Sequence, residues 1–257
     1  KKDDDKYKQK ISREIVILIR CQHPTIIKFL GFSFRDFLDH NITIFMEYMK
    51  NGSLSDILKK SKEKPLSSFD NTAKQIILIG IARAMMYLHQ HKVIHRDLKP
   101  GNVLLDENLY PHITDFGLSK IFQNVSAMSQ TYQMGTMAYM APEILNGDQC
   151  SSKVDVYAFG IVMFEVITNR SPYPELEIGI APFQFSKKII EENARPTFNE
   201  DDRIKKTIIN LIEKCWSKDP NNRPTFESIF KMLAYNMEDE KDELNDIQIP
   251  SKIYLDK

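Results

Sequence analysis

His95-Arg96-Asp97-Leu98-Lys99-Pro100-Gly101-Asn102 is the stretch on which the reading of this chain turns, followed in order by Asp115-Phe116-Gly117 and Ala141-Pro142-Glu143. Any one Asp or Asn beside a turn is ordinarily a turn former. Three such motifs in order are a different signal, because the odds of single coincidences multiply. Just after Asn102, the apolar runs Val103-Leu104-Leu105 and His112-Ile113-Thr114 flank Asp106-Glu107-Asn108, which predicts a small β-hairpin. Upstream, the pattern predicts a long helix over Asp70 to Gln90 and a strand over Ile42 to Met46, closed by the turn chemistry of Lys50-Asn51-Gly52-Ser53. Further back, Gln9 to Cys21 places Ile11, Ile15, Leu18 and Ile19 at helical spacing, and His23-Pro24 ends that run. Downstream, helical patterns cover Val154 to Thr168, Ile204 to Trp216 and Thr225 to Asn236. The fold class expected is α+β, a helical body with small β pieces at its front, without internal repeats.

The whole-chain numbers narrow the function classes. The 257 residues are 42% hydrophobic and 27% charged, the profile of an ordinary globular chain with a core of useful size. Lys plus Arg number 35 and Asp plus Glu 35, so the basic excess of a nucleic-acid binder or a polybasic membrane anchor is missing. The most apolar stretch, Ile76 to Leu88, is interrupted by Arg83 and falls short of the roughly 20 residues that span a bilayer. The first residues carry mixed charge with no apolar run behind a basic start, unlike a secretory signal, so the Asn-x-Ser/Thr triplets at Asn41, Asn51 and Asn124 read as chance. Cys21, Cys150 and Cys215 are far apart and form no Cys-x-x-Cys pair; a reducing, cytoplasmic compartment is the simpler reading. His89 and His91 lie two apart on the long helix and face different ways, so they are not read as a metal site. None of the nine glycines forms Gly-x-Gly, so no glycine-rich phosphate loop is present.

The three motifs resemble, residue for residue, the catalytic loop, metal-binding motif and activation-segment end of eukaryotic protein kinases, and the resemblance covers about Lys10 to Asn236. It implies a bilobal fold with a partial N-lobe at residues 1–49, a helical C-lobe at 50–236 and an acidic tail at 237–257. Phosphoryl transfer from ATP passes through a loose transition state, so the protein mainly positions and neutralises. By resemblance, Asp97 accepts the proton of the substrate hydroxyl, Lys99 lies along the γ-phosphate, and Asn102 and Asp115 offer the hard oxygens that Mg²⁺ prefers. Met46 corresponds to the gatekeeper of the adenine site, the backbone of Glu47 and Met49 to its hinge, and Leu104 to its floor. Glu14 corresponds to the glutamate that pairs with a phosphate-holding lysine, for which Lys1 and Lys2 are the candidates in this chain. That lysine's strand and the glycine-rich loop are expected upstream of Lys1, and without them weak ATP binding and little turnover are expected.

The resemblance also assigns structural and regulatory parts. His95 packs under Phe116 in a stack that continues to Leu18 and Phe29; Glu143 pairs with Arg223; Asp155 holds the catalytic-loop backbone. Arg96 before Asp97 marks kinases whose activation loop is ordered by phosphorylation, with Ser129 or Thr131 as the switch and Thr136 as a substrate-positioning residue. Lys99-Pro100-Gly101 and Gly135-Thr136 follow the serine/threonine pattern, whereas Lys214-Cys215-Trp216 and Arg223-Pro224-Thr225-Phe226 resemble tyrosine kinases and the tyrosine-kinase-like group. The combination implies a tyrosine-kinase-like serine/threonine kinase acting on protein substrates, with dual specificity left open. Two other classes compete. One is an inactive, pseudokinase-like scaffold, which upstream glycine-rich sequence would exclude; the other is a small-molecule phosphotransferase, disfavoured by the activation segment running through Glu143.

Overall fold

Burial along the first helix departs from the sequence reading at one residue. In the computed structural model, which describes residues 14–34, 42–116, 120–121 and 134–235, helix α1 runs over 14–20. Ile15, Ile17, Leu18 and then Cys21 face the core, whereas Ile19, expected on that face, is 49% exposed. At 3.6 residues per turn the buried arc is centred between Leu18 and Cys21, and Ile19 falls just past its edge. The His23-Pro24-Thr25 turn ends the helix, with the Ile26 amide donating to the His23 carbonyl at 2.9 Å.

Strands β1 (Phe29–Phe34) and β2 (Ile42–Met46) pair antiparallel, with Phe29 opposite Met46 and a register shift between Phe29 and Gly31. Helix α2 (Leu54–Glu63) follows, where the sequence reading had only a connector. Ser53 and Asp56 form a capping box, which satisfies the first orphan amides, and Leu54, Ile57 and Leu58 are the buried stripe. Helix α3 (Asn71–Gln90) begins as expected, its Ala73 amide capped by the Asp70 carboxylate at 2.8 Å. It leads into β3 (Val93–Ile94), a short 3-10 turn at Pro100–Asn102, and the hairpin of β4 (Val103–Leu105) with β5 (Pro111–Ile113). Strand β6 (Lys120–Ile121) returns to pair with β3.

The hairpin is the seam between the front and the helical body. Ile113 exchanges backbone hydrogen bonds with Thr25 and Ile27, and Leu105 with Gly52 and Asn51. Thr114, expected inside the strand, lies beyond it because its amide donates instead to the Asn102 carbonyl at 3.0 Å.

A second 3-10 stretch, Met134–Tyr139, then leads to α4 (Pro142–Leu145) and α5 (Lys153–Thr168). Helix α5 is apolar nearly all round and buried along most of its length, the signature of a central core helix. Helix α8 (Lys206–Cys215) packs on it, and α6 (Pro174–Glu177), α7 (Pro182–Ile190) and α9 (Phe226–Tyr235) complete the helical body. Gly160 lets α8 approach α5 closely: a Cβ there would stand 2.9 Å from Cys215 Cβ. Helix α9 packs on α3, so the last described helix closes over the helix that leads to the His95–Asn102 loop.

Candidate active site

The loop from His95 to Asn102 is anchored from below by one carboxylate. Asp155, fully buried on α5, accepts the His95 amide at Oδ2 (2.9 Å) and the Arg96 amide at Oδ1 (2.7 Å). His89 Nε2 on α3 also meets Oδ2, at 2.8 Å. Burial pushes this carboxyl up, but the His89 hydrogen bond and charge, with His95 and the Arg96 amide, outweigh it and hold it below the ordinary carboxylate value. Arg96 is thereby kept at φ +70°, a left-handed backbone that a non-glycine residue adopts only when its surroundings impose it. His89, which the sequence reading separated from the chemistry, thus belongs to the support of the site. Nothing local signalled it, since its partner lies 66 residues away.

His95 locks the other side of the turn. Its Nδ1 accepts the Asp97 amide at 3.3 Å, which assigns the ring proton to Nε2, the donor to the Thr114 carbonyl at 3.0 Å. The Phe116 ring lies edge-on to it, centroids 5.3 Å apart. Leu18 and Phe116 are both buried in one core, with Phe29 packed against it.

On that frame Asp97 is nearly buried, at 8% exposure. Its Oδ2 accepts Lys99 Nζ and Asn102 Nδ2, each at 2.9 Å, and Asn102 Nδ2 also reaches the Asp97 carbonyl at 2.7 Å. Lys99 Nζ extends to Thr136 Oγ1 at 3.2 Å. Because both side-chain donors converge on Oδ2, the carboxylate is oriented with Oδ1 left as its open acceptor among the described residues. Asn102 engages through its NH₂ group, so its amide oxygen faces away from Asp97.

Asp115 stands across the hairpin from Asn102, one residue past the Thr114 amide that bonds the Asn102 carbonyl, and its backbone is left-handed at φ +61°. One amide oxygen and one carboxylate at the same hairpin end suit a hard cation that keeps most of its ligands from phosphate and water. They do not form a protein cage: no cluster of three or more His, Cys, Asp or Glu is placed to hold a metal among the described residues.

The backbone of Glu47 and Met49, the residues expected at the hinge, is partly committed. Glu47 donates its amide to the Lys28 carbonyl at 3.0 Å, and the Met49 carbonyl accepts the Gly52 amide at 3.2 Å. Among the described residues this leaves the Glu47 carbonyl and the Met49 amide open, an acceptor and a donor two residues apart. The Met49 side chain is buried, Tyr48 points to solvent, and Thr114 Oγ1 donates to Met46 Sδ at 4.0 Å. Leu104 is partly buried opposite His112 in the hairpin. Glu14 is half-buried on α1. Lys1, Lys2, Ser129 and Thr131 lie outside the described residues, as does the stretch from 236 onward.

An ion pair and a charge-assisted hydrogen bond flank the loop. Glu143 on α4 grips Arg223 through both oxygens, at 2.6 and 2.9 Å. Tyr139 donates its hydroxyl to Glu165 Oε2 at 2.7 Å, and burial together with that carboxylate raises the hydroxyl well above its usual value, so it stays a donor.

The protein kinase domain family matches residues 1–233. The serine/threonine-protein kinase STY17 of Arabidopsis thaliana is 32% identical over 225 residues, 88% of this chain and 37% of the relative. A probable serine/threonine-protein kinase, drkC of Dictyostelium discoideum, is 36% identical over 234 residues, 90% of this chain and 30% of the relative. The serine/threonine/tyrosine-protein kinase HT1 of Arabidopsis thaliana is 34% identical over 228 residues, covering 89% of this chain and 55% of that protein. The chain thus spans about a third to a half of the length of these relatives. A match running from the first residue through the catalytic loop to α9 shows that the chain belongs to the protein kinase domain family.

Proposed function

We propose that this chain carries the phosphotransfer site of a tyrosine-kinase-like serine/threonine protein kinase, with ATP as phosphoryl donor and protein hydroxyls as acceptors. The carrying observation is the convergence of Lys99 and Asn102 on Asp97 Oδ2, which leaves Oδ1 to face an incoming hydroxyl. The acceptor oxygen forms its bond to the γ-phosphorus as the bond to the β–γ bridging oxygen breaks and ADP leaves, and the hydroxyl proton passes to Asp97 Oδ1. Lys99 offsets the charge that develops on the γ-phosphoryl oxygens. Mg²⁺ bound at Asn102 Oδ1 and the Asp115 carboxylate would neutralise the phosphate oxygens. The Glu47 carbonyl and Met49 amide match the donor–acceptor edge of adenine, between Met46 at the back and Leu104 beneath. Glu14 is assigned to the phosphate-holding lysine.

In this reading residues 1–49 form part of the amino-terminal lobe, 50–236 the carboxy-terminal lobe and 237–257 a tail. Thr136 positions substrate, supported by its contact to Lys99, and Ser129 or Thr131 is the phosphorylated switch. The absence of a disulfide at Cys21, Cys150 and Cys215 among the described residues favours a reducing, cytoplasmic location. No helix among the described residues is long and apolar enough to cross a membrane.

The test is phosphate transfer from Mg-ATP by the full-length protein to serine, threonine and tyrosine peptides. Asp97→Asn should lower kcat by about 10²- to 10⁴-fold while the melting temperature stays near wild type. Equal rates for the variant, or no transfer by an activation-loop-phosphorylated wild type, would overturn the assignment.

A further inference from the structure

Helix α2 ends in Lys59-Lys60-Ser61-Lys62-Glu63-Lys64, four exposed lysines against one glutamate. Lysines in a last helical turn ordinarily do no more than complement the helix dipole and face water. Here the run opens on a cavity of about 440 Å³ lined by Lys62, Phe164, Asn169, Arg170, Pro174 and Thr197, among others. Asn169 ends α5 in the left-handed conformation, φ +54°, and the chain then lays the Arg170 guanidinium over the Phe164 ring, 5.4 Å from its centroid.

The polar atoms of this wall are incompletely matched. Arg170 uses Nη2 for the Asp202 carboxylate and the Thr197 carbonyl, whereas its Nε is buried without a hydrogen-bond partner among the described residues. Asn169 Oδ1 is likewise buried without one, while its Nδ2 meets Ser61 Oγ at 3.2 Å. A hydroxyl gives as well as accepts, so the reversed amide keeps the Ser61 bond and turns its NH₂ to the unmatched side. The side chains of Lys62, Arg170 and Asn169 then present donors on this wall, beside the hydroxyls of Ser171 and Thr197, with Arg170 also held by the Asp202 carboxylate. Lys62 is held loosely, 3.9 Å from Glu165 Oε1.

The cavity is also tied to the chemistry. Glu165 takes the Tyr139 hydroxyl at its other oxygen, and Tyr139 closes the 3-10 turn whose Thr136 touches Lys99, which touches Asp97. That series of contacts links Asp97 to Lys62 at the basic end of α2.

We propose that this cavity and the α2 lysines read an anionic side chain, a carboxylate or a phosphoryl group, on the protein substrate beside the acceptor residue. The inference rests on the kinase reading and adds the substrate class. Apolar walls such as Phe164 and Pro172 lower the local dielectric beside Lys62 and Arg170 relative to an open surface, and the remaining lysines steer the encounter.

A positional peptide library tests it with the full-length protein and Mg-ATP, each flanking position carrying Ala, Lys, Asp, Glu or phosphoserine in turn. At one or more positions an acidic residue should exceed lysine by about tenfold or more in kcat/KM, and the ratio should fall with added salt. Lys60→Glu/Lys62→Glu should bring the ratio near one, Lys62→Arg should keep it, and Lys206→Glu/Lys231→Glu, at exposed positions of α8 and α9, should leave it unchanged as the charge-matched control. A preference for phosphoserine alone identifies a primed substrate; equal use of Asp and Glu identifies a simply acidic one. Turnover with no acidic preference, or a preference that survives the double variant, overturns the proposal. If wild type turns over no peptide, the kinase reading fails on its own, and titration with fluorescent glutamate-rich and lysine-rich peptides still decides the site: equal binding, or binding unaltered by the double variant, overturns it.

Discussion

Removing the Glu143 carboxylate should unfold this protein before it impairs the chemistry. Arg223 is 1% exposed, and all five of its N–H groups have acceptors. Nε donates to the Ser217 carbonyl (2.8 Å), Nη1 to Glu143 Oε1 (2.6 Å) and the Lys153 carbonyl (3.0 Å), and Nη2 to Glu143 Oε2 (2.9 Å) and the Lys218 carbonyl (3.3 Å). Its guanidinium also lies over Tyr157, 5.2 Å from the ring centroid. Glu143→Ala takes away two of the five acceptors and the only full negative charge among them, leaving a buried cation against neutral carbonyls. Breaking a buried pair in this way costs about 3–5 kcal/mol, a large part of the roughly 5–15 kcal/mol that holds a typical domain together. At about 2–4 °C per kcal/mol for a chain of this size, the melting temperature should fall by roughly 6–20 °C.

The double variant Glu143→Ala/Arg223→Met separates the pair from its burial. It removes both charges and retains apolar volume at the arginine, so its loss should be well below the sum of the two single losses. Urea denaturation of the four proteins measures the coupling. Phosphate transfer per folded molecule should change only a few-fold in Glu143→Ala, because neither member of the pair hydrogen-bonds Asp97. A melting temperature within about 2 °C of wild type, or strictly additive losses, would refute the reasoning.

Two further perturbations follow from packing and from burial. Gly160→Ala places a Cβ 2.9 Å from Cys215 Cβ and 3.3 Å from the Trp216 amide, so α5 and α8 must part; a loss of about 1–3 kcal/mol in urea denaturation is expected, and a neutral result would mean that α8 yields freely. His23 titrates at about 4 instead of 6.5, because burial, then the charges of Arg83 and His91, disfavour its protonated form. The unfolded chain therefore binds the extra proton between those two values. Stability contributed by the neutral ring is complete above pH 6.5 and is lost as pH falls towards 4. After allowance for solvent screening of a half-buried ring, the loss should be about 1–2 kcal/mol, and His23→Gln should flatten the stability curve across that window. An unchanged slope in the variant would assign the acid sensitivity elsewhere.

The parts legible in the sequence are those whose signal is local. The Asp70 cap and the apolar run behind it announced α3, and two short apolar runs around Asp106-Glu107-Asn108 announced the β4–β5 hairpin, because capping and turn chemistry act within a few residues. Helix α2 was equally legible in principle: Ser53-Leu54-Ser55-Asp56 is a capping-box pattern ahead of Leu54, Ile57 and Leu58, and it was read only as a turn. Helix α7 also carried a signal, Pro182 at its first turn and Phe185 with Ile189 one turn apart. Strands β1, β3 and β6 were not foreseen, since β3 and β6 are two residues long and acquire strand character only from a distant partner.

The chain by itself carried the family resemblance: Asp97, Lys99 and Asn102 within six residues, with Asp115 beyond a hairpin, stand in the motif order of the protein kinase domain family. Tertiary structure alone decided how they are held. Asp155 meets the loop from 59 and 60 residues away, His89 joins Asp155 across 66, Lys99 reaches Thr136 across 37, and Arg223 closes on Glu143 across 80. No periodicity or propensity encodes those separations. They are set when the apolar length of α5 is buried between α3 and α8, which carries Asp155 beneath the catalytic loop at the same moment that it excludes water from the core.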